Sequence, residues 1–212
     1  MKAVPMEPFW LYPIVDHPDW IPKLAACGLD LVQIRIKGIS EEERRRRLEA
    51  AVRIADERRV RLIINDDWAF ALESGAYGVH LGQDDLDGAP LEEIFGAGLR
   101  LGISTHNEAE LARAEACEPS YIAIGTVFES PSKSFTHRPI GIEGFRKLRS
   151  LTRRPVVAIG GITAERAPAL RAAGADGCAV ISDLLRAADL SERVAQWRKA
   201  WFETPRESTS TI

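Results

Sequence analysis

Polar and charged side chains alternate with apolar ones in one short segment, Gln33-Ile34-Arg35-Ile36-Lys37. Residues i, i+2 and i+4 of a β-strand share a face, so an extended segment points the amide and both cations the same way. Arg offers a planar fork of donors to phosphate oxygens, and Lys offers a compact positive charge. The segment therefore predicts a diphosphate site. An ordinary strand with outward charges is the disfavoured alternative, because helices cover the outer faces of strands in a parallel α/β protein.

Carboxylates follow the next two apolar segments along the chain, as Asp66 and as the pair Asp84-Asp85. Mg²⁺ is typically held by one or two carboxylates together with the oxygens of a phosphorylated substrate. We predict that Asp66 and Asp85 bind Mg²⁺ beside the diphosphate. Asp84 and the neighbouring Asp67 have the alternative roles of a surface residue or a helix N-cap, since lone Asp residues often cap helices.

A second phosphate site is predicted where the last two apolar segments end, at Gly160-Gly161 and at Ile181-Ser182. Glycine lets a phosphate approach backbone N–H groups, and helix N-termini add partial positive charge. A further loop, residues 129–135, reads Glu-Ser-Pro-Ser-Lys-Ser-Phe. It is interpreted as a mobile lid or a phosphate contact, with a disordered surface loop as the alternative.

Neither candidate histidine belongs to a nucleophile triad. His80 lies within an apolar segment and is interpreted as a packed, hydrogen-bonded core group. His106 precedes a predicted helix, where a lone His is more often structural than a general base. Ser104, two residues earlier, is a candidate hydrogen-bond partner of a substrate. No Cys or Ser stands beside either histidine with an orienting acid.

The elements that position these residues form a regular repeat. Short apolar segments rich in β-branched residues each precede a helix-like stretch, and strict β–α alternation indicates a parallel sheet. Eight such units favour a closed, single (β/α)8 TIM barrel, whose active sites lie at the carboxyl ends of the strands. We expect one domain over residues 1–202 and a flexible Ser/Thr-rich tail over 203–212. The strands are predicted at 9–16, 31–37, 61–66, 78–82, 100–105, 121–128, 155–162 and 177–182.

The amino-acid composition limits the classes of partner that we expect for this protein. The 212 residues are 45% hydrophobic and 28% charged with a net charge of -3, so a general affinity for nucleic acid is not implied. The run Arg44–Arg47 lies in a Glu-rich helix and is interpreted as a solvated face of Glu–Arg pairs. No apolar run reaches membrane-spanning length and no secretory leader is recognised, so a cytoplasmic protein with small-molecule substrates is expected. The sequence leaves open whether the chain forms a homo-oligomer.

Seven short motifs occur along the chain in a fixed order and spacing. They are Leu-Tyr-Pro-Ile-Val-Asp (11–16), Gln-Ile-Arg-Ile-Lys (33–37), Ile-Asn-Asp (64–66), Tyr-Gly-Val-His-Leu-Gly-Gln-Asp-Asp (77–85), Gly-Ile-Ser-Thr-His (102–106), Ser-Tyr-Ile-Ala-Ile-Gly (120–125) and Ala-Ile-Gly-Gly-Ile (158–162). Each motif alone is weak, but their order and spacing together are highly specific. By these motifs the chain closely resembles bacterial thiamine-phosphate synthases from Leu11 to about Leu185.

The resemblance implies a Mg²⁺-dependent transferase that joins hydroxymethylpyrimidine diphosphate to a thiazole phosphate, giving thiamine phosphate and diphosphate. In that family diphosphate is thought to leave first, and the thiazole nitrogen captures the pyrimidine carbocation. Arg35, Lys37 and Lys133 would stabilise the leaving group, so no strong base or covalent nucleophile is needed. Matching positions imply that the pyrimidine diphosphate is bound by Gln33, Arg35, Lys37, Asn65 and Ser104, and that Lys133 also contacts its diphosphate. They imply that Mg²⁺ is bound by Asp66 and Asp85. They imply that the thiazole phosphate is bound by Gly161, Ile181 and Ser182.

The loop at 129–133 departs from the family's usual Pro-Thr-x-Thr-Lys. Ser130 and Ser132 keep a hydroxyl group and stay predicted substrate ligands, but they lack the methyl group that stiffens Thr. Glu129 adds a negative charge near an anionic substrate. The departure therefore predicts weaker thiazole-phosphate binding or altered closure of the loop.

Two other functions are compatible with the barrel. A thiazole tautomerase of the same family would need a proton-transfer residue and no diphosphate–Mg²⁺ pocket. The retained Arg35, Lys37, Asp66 and Asp85 argue against it. A catalytically silent phosphate-binding barrel is the second alternative, and only the altered loop supports it.

Overall fold

The structure, a computed structural model, describes residues 3–129 and 138–203. Ser130, Ser132 and Lys133 lie outside the described residues, and so does the predicted tail beyond Glu203. The architecture of the barrel itself is therefore described except at one loop.

Eight parallel strands close into a barrel in sequence order, with β8 pairing β1, which confirms the predicted (β/α)8 fold. The strands are β1 (Leu11–Val15), β2 (Leu31–Ile34), β3 (Arg61–Asn65), β4 (Gly78–Leu81), β5 (Arg100–Thr105), β6 (Tyr121–Gly125), β7 (Val156–Ile159) and β8 (Gly177–Val180). The described helices are α1 (Trp20–Ala26), α2 (Glu41–Arg58), α3 (Trp68–Ser74), α4 (Leu91–Gly96), α5 (Glu108–Ala116), α6 (Gly141–Ser150), α7 (Ala167–Ala172), α8 (Ser182–Leu185) and α9 (Leu190–Phe202).

Several strands are shorter than predicted, and left-handed backbone ends two of them. Asp66 (φ 63°) follows β3, and Gly160 (φ 103°) follows β7. The second strand ends at Ile34, although the Arg35 N–H still donates to the Val15 carbonyl at 2.7 Å. The functional residues therefore lie mostly in the first residues after a strand rather than within it.

The buried core has two layers, which explains why the strands are nearly continuously apolar. The outward-facing strand residues, such as Ile64, pack against the helices in a layer that includes Trp197 and Trp201. Ile63 and Tyr12 point into the barrel, in a smaller cluster that also contains Tyr121. Successive strand residues face opposite layers, so both kinds of position need apolar side chains.

The arginine run on α2 forms surface ion pairs, as predicted. Arg46 and Arg47 both pair with Glu43, and Arg47 Nε lies 2.7 Å from Oε1 of that residue. Arg44 pairs with Asp67 at 2.8 Å, while Asp67 also caps α3 by accepting from the Phe70 N–H. The N-cap alternative for Asp67 is thus confirmed. Within the described ranges no helix is long and apolar enough to cross a membrane.

Candidate active site at the carboxyl ends of the strands

A hydrogen-bonded chain inside the barrel fixes Gln33 beneath the candidate site. Gln33 is only 2% exposed, and its Nε2 donates to the Tyr12 hydroxyl at 2.9 Å. The Tyr12 and Tyr121 hydroxyl oxygens lie 2.7 Å apart. Strand alternation correctly predicted that Gln33 points inward. The two tyrosines were missed, although both occupy inward positions of their strands.

His80 continues this chain to Ser104. Its Nδ1 lies 2.9 Å from the Tyr121 hydroxyl, and its Nε2 lies 2.8 Å from Ser104 Oγ. Burial lowers the pKa of His80 to about 4, and the smaller effects of Asp66 and Arg35 oppose each other. The ring is therefore neutral near pH 7, with one donor and one acceptor nitrogen. His80 is a buried, hydrogen-bonded group as predicted, and it orients Ser104.

The cations predicted from the second strand lie at its carboxyl end. Arg35 is half-buried and Lys37 is exposed. Lys37 Nζ forms an ion pair with Asp66 Oδ2 across the end of β3. The structure thus brings a predicted diphosphate ligand against a predicted Mg²⁺ ligand. Asn65, at the last position of β3, lies opposite His80 in the register with β4.

Asp66 and Asp85 form the carboxylate pair of this rim. Asp66 is held by its backbone N–H, which donates to the His80 carbonyl at 2.8 Å. Asp85 Oδ2 accepts from the Gly82 N–H at 3.0 Å. Burial and then the nearby negative charge of Asp66 raise the pKa of Asp85. The two carboxylates therefore interact, and a cation between them would relieve their repulsion.

This donor set fits Mg²⁺. The described residues contain no group of three or more His, Cys, Asp or Glu side chains arranged to hold a metal ion. Two carboxylates alone match the usual Mg²⁺ site, in which substrate phosphate and water supply the remaining oxygens. Such a site is completed by an anionic substrate rather than by the protein.

The predicted monophosphate residues line one cavity of about 490 Å³ at the ends of β5 to β8. It includes Gly161, Ile181 and Ser182, together with Ser104. Gly161 has φ 61°, and a β-carbon there would lie 2.4 Å from the Glu129 carbonyl oxygen. Only glycine fits this position, so the loop after β7 can pack directly against the backbone that follows β6. The helix beginning at Ser182 spans four residues, so its dipole contributes little and the donors themselves matter more.

Other side chains of the cavity were not predicted. His106 lines it, but its Nδ1 lies 2.7 Å from Glu110 Oε2, which favours the structural interpretation of this residue. Arg166 and Asp183 also line it. Asp183 is held by Arg193 of α9, at 2.9 Å between Nε and Oδ2. Nothing in the local sequence marks Arg166 or Arg193, because their neighbours come from distant segments.

Similarity to known proteins shows the family to which the chain belongs. A family model described as thiamine monophosphate synthase matches residues 11–184. The chain belongs to the thiamine monophosphate synthase family. The matched range begins at β1 and ends within α8, so the family covers the whole barrel and both parts of the candidate site.

Named relatives agree with this assignment. The thiamine-phosphate synthase of Photorhabdus laumondii is 41% identical over 204 residues, covering 92% of this chain and 94% of that protein. The thiamine-phosphate synthase of Serratia proteamaculans is 44% identical over 187 residues, covering 88% of each. Among solved structures, thiamine phosphate pyrophosphorylase from Pyrococcus furiosus superposes with a TM-score of 0.79 at 30% identity, covering 92% of this chain and 96% of that one.

Proposed function

We propose that this protein is a thiamine-phosphate synthase, a transferase that joins hydroxymethylpyrimidine diphosphate to a thiazole phosphate. The observation that supports this proposal is that the rim of the barrel carries a cluster of Lys37, Asp66 and Asp85 and, at the ends of β5 to β8, a cavity. The cluster of Lys37, Asp66 and Asp85 suits a metal-bound diphosphate, and the cavity around Gly161 and Ser182 suits a monophosphate. Membership of the family and the named relatives support the same reaction.

The proposed reaction breaks the bond between the pyrimidine methylene carbon and a diphosphate oxygen. Both electrons leave with the diphosphate, and the thiazole nitrogen then supplies the pair for the new C–N bond. Negative charge grows on the leaving group, so preorganised cations accelerate this step most. Arg35 and Lys37 supply them from the end of β2, and Lys133 is proposed to add a third.

Asp66 and Asp85 are proposed to hold Mg²⁺ against the diphosphate. When bound, Mg²⁺ would neutralise part of the charge on the leaving group. Lys37 already pairs with Asp66, so it is positioned beside the metal-bound oxygens. This arrangement links metal binding and diphosphate binding through one side chain.

Binding and orientation of the pyrimidine are assigned to Gln33, Asn65 and Ser104. Gln33 and Ser104 are joined through the two tyrosines and His80, and this rigid chain limits their motion. A fixed donor–acceptor pattern holds a substrate near its reactive geometry. Neutral His80 needs to exchange no proton with the substrate, which agrees with a reaction that requires no general base.

The experiment is incubation of the purified protein with both substrates and Mg²⁺, with thiamine phosphate and diphosphate measured together. We expect equal amounts of both products. Lys133→Ala should lower kcat by about tenfold or more, since a charge-assisted contact to the leaving group contributes about 1.5–3 kcal/mol. Lys147→Ala is the matched control, because Lys147 lies on α6 and pairs with Glu108.

Each alternative function gives a different result in this assay. A lack of diphosphate release with both substrates present would reject the synthase. Isomerised thiazole without pyrimidine consumption would instead indicate a tautomerase. Binding of both phosphorylated compounds without any turnover would indicate a silent ligand-binding barrel.

A further inference from the structure

Arg166 lies in the cavity of the predicted monophosphate site, and no role is assigned to it by the reaction proposed above. It follows β7 and precedes α7, and its side chain lines the same cavity of about 490 Å³ as Gly161 and Ser182. Its Cζ stands 4.6 Å from the centre of the Phe128 ring. Its Nη1 donates to the Gly161 carbonyl. A flexible surface side chain is therefore held in one place by stacking and by one hydrogen bond.

The remaining donors of Arg166 are available to a ligand. Within residues 3–129 and 138–203, its Nε and Nη2 have no hydrogen-bond partner and it forms no ion pair. By contrast, Arg193 nearby is saturated, with Asp183, Glu165 and Gln196 all bonded to its guanidinium. Toward the part of the chain that the structure describes, the anchored guanidinium thus presents an unoccupied donor edge.

The acids of the cavity do not neutralise Arg166. Asp183 also lines it, but its carboxylate is engaged by Arg193 and by Trp197 Nε1, which lies 2.7 Å from Oδ2. Glu129 lies on the opposite loop of the cavity, and no ion pair joins it to Arg166 in the described ranges. A cation that has no counter-ion among the described residues, beside glycine N–H groups and a serine hydroxyl, is a site for a small dianion.

We propose that Arg166 binds the phosphate group of the second substrate directly and sets the preference for a phosphorylated thiazole. This inference rests on the proposed function for the identity of that substrate. Gly161 and Ser182 supply neutral donors, whereas Arg166 supplies the charge. A guanidinium group can donate hydrogen bonds to two phosphate oxygens at once. Because Arg166 is already stacked on Phe128, it loses less conformational entropy when the ligand binds.

The test distinguishes the contribution of the phosphate group to binding from that of the rest of the thiazole substrate. Steady-state kinetics are measured for the wild type, Arg166→Met and Arg166→Lys, with thiazole phosphate and with the unphosphorylated thiazole alcohol. Arg166→Met should raise KM for thiazole phosphate about tenfold, the effect of losing one charge-assisted contact. KM for the pyrimidine diphosphate should stay within about twofold, and Arg166→Lys should recover part of the loss. With the alcohol, wild type and Arg166→Met should behave alike.

Arg153→Met is the matched control, because Arg153 is exposed and lies before β7, at the opposite end of the barrel. It should match the wild type with every substrate. An unchanged KM for thiazole phosphate in Arg166→Met would overturn the inference. So would an equal loss with phosphate and alcohol, since that would mean a general distortion of the cavity.

A binding measurement keeps this inference separate from the proposed function. Calorimetric titration with thiazole phosphate and with the alcohol needs no turnover. If the wild type forms no thiamine phosphate, the proposed function fails. The role of Arg166 as a phosphate ligand is still supported if Arg166→Met weakens binding of thiazole phosphate but not of the alcohol. That role is rejected if the wild type and Arg166→Met bind thiazole phosphate equally.

Discussion

Arg193 and Asp183 form a two-point ion pair, with Nε 2.9 Å from Oδ2 and Nη2 2.5 Å from Oδ1. Their side chains are 17% and 12% exposed, and Arg193 also holds Glu165. The pair therefore ties α9 to the segment after β8 and to the loop after β7. Those two segments carry Ser182 and Gly161, so a residue on an outer helix positions both sides of the proposed monophosphate cavity.

Arg193→Met should loosen this cavity and destabilise the protein. Asp183 is mostly buried, and without Arg193 its carboxylate keeps only the Trp197 hydrogen bond among the described residues. Loss of this buried ion pair costs about 2 kcal/mol, which lowers Tm by roughly 4–8 °C in a chain of this size. KM for thiazole phosphate should rise, while KM for the pyrimidine diphosphate should not. Calorimetry and the two KM values check both parts.

The matched variant is Arg53→Met, whose ion pair with Glu57 is exposed at 65% and 57%. Exposed pairs contribute little, so its Tm should stay within about 2 °C of the wild type. Equal effects of the two substitutions would contradict the positioning role of Arg193.

The parts of this site that local patterns determine were predictable from the sequence. The alternation in β2 placed Gln33 inside the barrel, and the residues after β3 and β4 placed Asp66 and Asp85 at the rim. These inferences need only the period of a strand and the rule that active sites lie at strand ends. Arg35 and Lys37 reach the same rim, although the strand itself stops at Ile34.

The missed parts depend on closure of the barrel. Tyr12 and Tyr121 are 109 positions apart and meet only because β1 and β6 face each other across the interior. Arg166 stacks on Phe128 because two loops after neighbouring strands converge. Such pairs have no local signature, since the type of each residue fits an ordinary core or surface position equally well.

Because His80 is buried, the free energy of unfolding should decrease as the pH is lowered. Its pKa is lowered to about 4, from 6.5 in the unfolded chain. Between these values the unfolded state binds a proton that the folded state does not, so the free energy of unfolding decreases as pH falls through this window. From pH 7.5 to pH 5 the loss should be on the order of 2 kcal/mol. Urea unfolding at the two pH values measures it.

His80→Gln is the control for this loss, because a neutral amide cannot titrate. The variant is expected to be less stable at pH 7.5, but its stability should change less between the two pH values. A pH dependence equal to that of the wild type would show that other groups cause the acid destabilisation.

Asp85→Asn should weaken the use of Mg²⁺ without unfolding the protein. The amide oxygen can still accept from the Gly82 N–H, so the loop after β4 is kept. Loss of the carboxylate charge should raise the Mg²⁺ concentration for half-maximal activity by about tenfold or more. Activity measured across a Mg²⁺ titration, with circular dichroism as a folding check, gives the answer.

Asp84→Asn provides the comparison, since Asp84 is the exposed neighbour of Asp85. It changes the net charge of the rim by the same amount. If both variants shift the Mg²⁺ requirement equally, the effect is long-range electrostatics and Asp85 is not a ligand.

Gly161→Ala should damage the proposed monophosphate cavity selectively. The added β-carbon would meet the Glu129 carbonyl oxygen at 2.4 Å and the Phe128 carbonyl oxygen at 2.7 Å, on a backbone with φ 61°. Relief of this overlap must move the loop after β6 away from the loop after β7, so KM for thiazole phosphate should rise. The strain should also lower the free energy of unfolding by about 1–3 kcal/mol.

Gly98→Ala separates the overlap from the backbone strain. Gly98 has a similar φ of 75°, but an added β-carbon there would meet nothing within 4 Å. This variant should lose only about 1 kcal/mol of stability and keep the wild-type KM for thiazole phosphate, since it lies far from the rim in the loop before β5. If the two alanine variants had the same KM, Gly161 would be required by its backbone conformation alone, and the cavity would tolerate a side chain at that position.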